Sequence, residues 1–228
     1  MKNKKILILA VIAPLLICSC EKKEESKVES NGLTKEINEL IPSSTLSKIK
    51  NLGMPINTGD NPPNIENVYL ATPCILKASN VPEDTPGHEF SDFEMSFYQQ
   101  NNDKMTIKID YENGPESGSG MGGFIVGEGN NFTVVCEVDV YNTDNNVFAK
   151  TAMIISGKYR STGIINFYCA LLMLDNYGNP KGNFIDNGSV RIIYDSDGFS
   201  ESEIGLRSSS LIRNPNQPKS TVLSIIKR

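Results

Sequence analysis

The sequence predicts a mainly β protein: an antiparallel eight-stranded up-and-down barrel preceded by one or two short helices, with a β-sandwich as the alternative. Three observations predict it. From about residue 67 to 195, apolar and polar side chains alternate with period 2, the pattern of strands with one dry face. The alternating segments are joined mostly by short links, as in a meander. Open sheet edges are hazardous and closure removes them; at eight strands a barrel either fills with side chains or holds one small ligand.

The chain opens with Lys2, Lys4 and Lys5, followed by an apolar run of 12 residues from Ile6 to Ile17. A bilayer-spanning helix needs about 20 residues. The run has the length of a signal-peptide core instead. Ile17-Cys18-Ser19-Cys20 then resembles the bacterial lipoprotein signal, Leu/Ile-x-Ser/Ala/Gly-Cys, with Cys20 as the first mature residue. Cys18 fits poorly because the bulky Ile17 precedes it. The resemblance implies a signal peptide over 1–19 and acylation of Cys20, and two or more buried chains anchor stably where one does not. Glu21 to Gly32 is too polar to order itself and is expected to be a tether over 20–32. Within it Lys23-Glu24-Glu25 resembles the surface-export signal of Bacteroides-type lipoproteins.

The folded domain is expected over 33–198. Leu33, Ile37, Leu40 and Ile41 recur at helical spacing, and Pro42 stops the segment. Ser43 or Ser44 is expected to cap a second helix carrying Leu46, Ile49 and Leu52, with Gly53 as its stop. A pair this short needs a body to pack on. Pro55 to Pro63 is turn-rich. The strands begin with Val68 to Leu76, where Pro73 marks a bulge or an edge. Phe93, Met95 and Phe97 define the second strand; Met105, Ile107, Ile109 and Tyr111 define one face of the third. The glycine-rich run 118–127 is the fourth, and Gly129-Asn130-Asn131 turns it into the fifth, carried by Phe132, Val134, Cys136, Val138 and Val140. Val147 to Tyr159 is the sixth. The seventh, Ile164 to Leu174, is apolar on both faces, so the helix pair is expected to cover its outer one. A loop over 175–188 leads to the eighth, Val190, Ile192 and Tyr194, which Asp195-Ser196-Asp197-Gly198 is expected to end. Residues 199–228 lose the alternation and are expected to be a partly disordered tail.

Charge excludes some functions. Without residues 1–19 the chain carries 19 basic and 27 acidic residues, a net of −8. That is the wrong sign for a phosphate backbone, so no nucleic-acid partner is expected. Besides Cys18 and Cys20 the cysteines are Cys74, Cys136 and Cys169, each inside a strand-like apolar run, where buried free thiols are expected. No spacing fits a zinc site. The glycine-rich run lacks the following helix that phosphate binding needs.

Few residues are candidates for chemistry. His88, the one histidine, sits in the polar turn Pro86-Gly87-His88-Glu89 with no nucleophile to pair with. Asp195, Asp197 and Gly198 match part of a calcium loop, but Phe199 stands where an oxygen ligand is required. Ser200, Glu201 and Glu203 could supply oxygens to an irregular site; a plain Asp/Gly turn is the blander reading. Asp110 and Glu112 share one face of their strand, as paired carboxylates do in acid–base sites, though a wet face explains them as well. No catalytic residue, no metal and no cofactor is expected.

At Pro63-Asn64-Ile65-Glu66-Asn67-Val68-Tyr69-Leu70 the chain resembles the entry of lipocalin-like lipoproteins into their first strand, an Ile-x-Gly-x-aromatic segment, with Asn67 at the usual glycine. Together with the lipoprotein signal, the resemblance is to a Bacteroides-type surface lipoprotein with a lipocalin-like, calycin-like barrel. It implies an outer-membrane, lipid-anchored protein, exposed at the cell surface where the export-like segment acts; with no nucleophile–base pair, metal cluster or phosphate loop in the sequence, it is expected not to be an enzyme. Its partners would be membrane lipid through acylated Cys20 and a small apolar or amphipathic ligand in the barrel. The alternative is a filled barrel docking another envelope protein.

Overall fold

The computed structural model describes residues 27–203 except 115 and 143–146. Cys20, the signal segment and the chain beyond 203 lie outside the described residues. Two short helices, α1 (Lys35–Leu40) and α2 (Ser43–Asn51), precede eight barrel strands, beside which the two-residue strands Asp60–Asn61 and Glu89–Phe90 pair locally. We number the barrel strands β1 (Asn67–Ala71 and Cys74–Ser79), β2 (Phe93–Asn101), β3 (Thr106–Asn113), β4 (Glu116–Glu128), β5 (Asn131–Asn142), β6 (Val147–Arg160), β7 (Gly163–Asp175) and β8 (Val190–Asp195 and Phe199–Ser202). Each pairs antiparallel with the next, and β8 pairs with both β7 and β1, so the ring closes. This is the eight-stranded up-and-down barrel that the alternation predicts.

One strand breaks where Pro73 marks a bulge or an edge, and another differs from expectation. The Thr72–Pro73 peptide is cis and splits β1 into two segments. Asp195 to Gly198 does not end β8. The backbone bulges there, and Phe199–Ser202 resumes pairing with β7 and β1. Residues 199–202 therefore belong to the barrel and not to a tail. The physical reason is Asp195 itself, whose side chain bonds to both neighbouring segments, as described below. β7 shifts register at the same level, between Ile165 and Tyr168. The breaks in β7, β8 and β1 line up into a seam across three adjacent strands.

The alternation translates into two apolar clusters. The interior one gathers Tyr69, Cys74, Phe93, Met95, Phe97, Ile109, Phe132, Val134, Cys136, Met153, Ile155, Phe167, Cys169 and Ile193, with others from all eight strands. The rings pack against one another: Phe93 stacks on Tyr111 at 5.4 Å and tilts against Phe167 at 6.0 Å. The end that carries the β2–β3, β4–β5 and β6–β7 turns is plugged by Ile65, fully buried. Gln100 accepts from the Ile65 N–H at 2.9 Å, and the Tyr69 hydroxyl donates to the Ile65 carbonyl at 3.0 Å. At the opposite end the β7–β8 loop turns Phe184 and Ile185 into the same cluster. Asn179 brackets Phe184 with two hydrogen bonds of 2.8 and 3.0 Å. Arg191, on β8, grips Asp84 of the β1–β2 loop through two contacts of 2.7 and 2.6 Å. Burial alone would raise the Asp84 carboxyl, but hydrogen bonds from Arg191 and Ser79 outweigh it and hold it below the usual range.

The second cluster lies outside the barrel wall. Leu33, Ile37, Ile41, Leu46, Ile49 and Met54 cover Val126, Val135, Ile154, Ala170, Leu172, Val190 and Ile192. The helix pair therefore covers the outer face of β7, as its two-sided apolarity demands. Thr34 caps α1 by accepting from the Ile37 N–H. No serine caps α2; Pro42 holds the cap position without a side-chain bond, because its fixed φ already suits a helix entry. Gly53, at φ 94°, ends the helix as expected. Met105 is not on the inner face of β3. It occupies the β2–β3 turn at φ 54° and joins the outer cluster instead.

Truncating a fully buried interior ring should open a void that the closed wall cannot collapse into. Phe132→Ala is expected to cost about 3–5 kcal/mol of unfolding free energy, measured by urea denaturation. A loss under about 1 kcal/mol would mean that the interior already holds free space.

Candidate functional site

The seam concentrates the buried polar groups. Asp195 is only 2% exposed. Its Oδ2 accepts from the Thr72 N–H at 3.2 Å and from the Ser200 hydroxyl at 2.8 Å. Thr72 also donates its hydroxyl to Asp92 at 2.5 Å, and Asn113 donates to the Ser91 and Asp92 carbonyls. Side chains thus replace ladder hydrogen bonds that the broken strands cannot make. The Oδ1 of Asp195 is buried with no donor to accept from, and the carboxylate of Asp197 lies within hydrogen-bonding range of its side chain. Burial, then the charge and proximity of Asp197, push the Asp195 carboxyl up to about 6, against the opposing bonds from Ser200 and Thr72. A proton held there would supply the missing hydrogen bond to Asp197.

This arrangement is a structural one. Asp197 also accepts from the Phe199 N–H at 2.8 Å, closing the bulge. Among the described residues no three His, Cys, Asp or Glu side chains are grouped closely enough to hold a metal ion.

The other sequence candidates separate in space. His88 is exposed on the β1–β2 loop, its ring set edge-on to Phe90 at 5.0 Å. Asp110 and Glu112 lie on the outer wall, where Glu112 faces Glu94 and Asp110 faces Ser96 across the β2–β3 ladder. Together with Ser117 and Ser119 they line a cleft of about 340 Å³, and Tyr98 donates to Asp110 at 2.9 Å. Cys74, Cys136 and Cys169 are free and buried. Burial pushes the Cys136 thiol up to about 12 and raises the other two as well, which keeps all three protonated and unreactive.

A larger groove, about 490 Å³, runs along the outer wall beside α2. Its lining includes Lys50, Asn57, Asn131, Lys158, Asn166 and Tyr168 and no acidic residue. Lys77 lies at its margin, its ammonium 5.0 Å from the Tyr168 ring centre and 5.6 Å from that of Tyr194. The floor is tied down. Asn57 takes the Thr133 hydroxyl as acceptor at 2.8 Å and donates to the Phe132 carbonyl at 2.9 Å, and Ser156 donates to the Pro55 carbonyl at 2.8 Å. Sequence reading missed this groove because its residues come from a helix end, a turn and three strands. The one local signal was Tyr168 on the outward face of β7.

No protein-family model matches the chain, and no curated protein or solved structure matches it at a significant level.

The Asp195 geometry fixes a pH dependence. Folding raises its pKa from 3.8 to about 6, so the folded protein keeps a proton that the unfolded chain has released. Its stabilising effect is full below about pH 4 and is lost as pH rises through 6, worth about 3 kcal/mol at most. Asp195→Asn keeps the acceptor for Thr72 and Ser200 and gives Asp197 a permanent donor. The variant is expected to be more stable than the parent at pH 8, with the difference vanishing near pH 4. Thermal unfolding across that range checks it; a difference independent of pH would contradict the assignment.

Proposed function

We propose that this chain is a lipid-anchored lipoprotein of the lipocalin-like surface type whose filled barrel works through its outer wall. The observation that carries the reading is the interior. Side chains from all eight strands meet there fully buried, and Ile65 and Phe184 close the two ends. An interior packed in this way leaves its rings to each other, which favours docking over a ligand in the barrel. The protein would be a non-enzymatic interaction subunit of the envelope.

The course of the chain supports an anchor at one pole. Lys27 donates to the Asn102 carbonyl at the β2–β3 turn, and the last strand ends beside Tyr69 and Thr162 at the same end. A tether from Cys20 to Lys27 would hold this pole toward the membrane and turn the β7–β8 loop outward. No helix among the described residues is long and apolar enough to cross a membrane.

Two measurements test the proposal. Cys20→Ser is expected to move the protein from the detergent-extracted membrane fraction to the soluble fraction; unchanged membrane retention would remove the lipid anchor. Mass spectrometry of small molecules released from the purified protein is expected to find no stoichiometric apolar compound. Recovery of one would restore the reading of a ligand carrier.

A further inference from the structure

The groove beside α2 gathers positive charge on an acidic chain. We infer that it is a binding site for an acidic saccharide, a sugar bearing carboxylate or sulfate groups; the inference rests on the outer wall being the working surface. Its volume of about 490 Å³ lies within the range of small-ligand sites.

Charge selects the sign of the ligand. Lys50 comes from the end of α2 and Lys158 from β6, and both line the groove. Neither is drawn into an ion pair among the described residues. Lys77 adds a third ammonium, laid over the Tyr168 and Tyr194 rings. A cleft lined by one sign of charge concentrates ligands of the other. The carboxylates Glu94, Asp110 and Glu112 occupy a separate cleft on β2 and β3 and do not neutralise it.

The remaining lining selects hydroxyl-bearing ligands over a bare ion. Asn131 and Asn166 each present an exposed side-chain amide, both donor and acceptor. Tyr168 is half-buried; its hydroxyl accepts from Lys77 at 3.5 Å and keeps its own proton to donate. Exposed lysines alone hold a hydrated ion weakly, since surface ion pairs contribute little. Amides and a hydroxyl add the directional contacts that a pyranose ring can use. The site is also preorganised. Asn57, Ser156 and Pro55 are fixed by hydrogen bonds to the wall, so little ordering remains to oppose binding.

Titration of the purified protein with trigalacturonate and with lactose 3′-sulfate, followed by amide chemical shifts, tests the inference. At least one probe is expected to bind saturably, with shifts at Asn131, Lys158 and Asn166. Maltotriose, the neutral control, should bind at least about tenfold more weakly, and the double variant Lys50→Ala/Lys158→Ala should weaken the acidic probe by about tenfold or more. Both lysines are exposed, so the variant is expected to fold. Failure of both acidic probes to bind would overturn the inference and leave the outer-wall reading intact. Equal affinity of parent and double variant, or equal binding of triglutamate, would also overturn it. Shifts confined to interior residues such as Phe97 and Phe132 would overturn both readings.

Discussion

Closure of the barrel turns on one carboxylate at the seam. Three neighbouring strands, β7, β8 and β1, lose their regular ladder at the same level, and strands that bend together leave several backbone groups without ordinary partners. Asp195 replaces those partners. It reaches the Thr72 N–H beside the cis-proline of β1 and the Ser200 hydroxyl in the second half of its own strand. The Ser196 N–H donates to the Pro73 carbonyl, and the Asn166 N–H donates to the Gly198 carbonyl, so each break is stitched to the next. Because β8 alone joins β7 to β1, any slip at this level would reopen the sheet. Every inward side chain depends on that register, since moving a strand by one residue turns its core face to water.

Much of this architecture was legible because burial leaves a periodic signature. The pair Phe97 and Ile109 faces one interior, and period 2 says so without any structure. The double apolarity of β7 even implied the helix cover, since Ala170 and Leu172 needed something outside the wall. Failures fell where a local pattern is overruled by distant contacts. Asp195-Ser196-Asp197-Gly198 has the composition of a turn, and it does turn locally. Whether a strand resumes afterwards depends on Thr72, more than a hundred residues away. Met105 continued the alternation of β3 on paper, but the tight β2–β3 connection gives it a left-handed backbone and swings it to the outer cluster. Phe184 sat in a segment rich in Asn and Gly, and nothing local distinguished an end plug from an exposed loop. The groove was the least legible feature. Lys50, Asn131 and Lys158 become neighbours only once the helix pair docks on the wall.

A filled interior would leave any selectivity to the outer wall. A barrel of this size with Phe93, Phe97, Phe132 and Phe167 meeting inside spends its volume on cohesion. The outer wall, by contrast, is electrically divided. Glu94, Asp110 and Glu112 gather on the β2–β3 side, while Lys50, Lys77 and Lys158 gather beside α2. A net charge of −5 for the whole chain conceals this separation. The field near such a surface depends on the side that faces a partner.

The three sheltered thiols have a consequence of their own. Cys74, Cys136 and Cys169 belong to the interior cluster, and Cys74 lies beside the seam, close enough to feel the Asp195 and Asp92 charges. A soluble alkylating reagent meets none of them while the wall is shut. The chain thus carries a built-in clock for its own breathing: the pace at which Cys74 is labelled, set against Cys136 elsewhere in the interior, would separate a local parting of β8 from collapse of the entire wall.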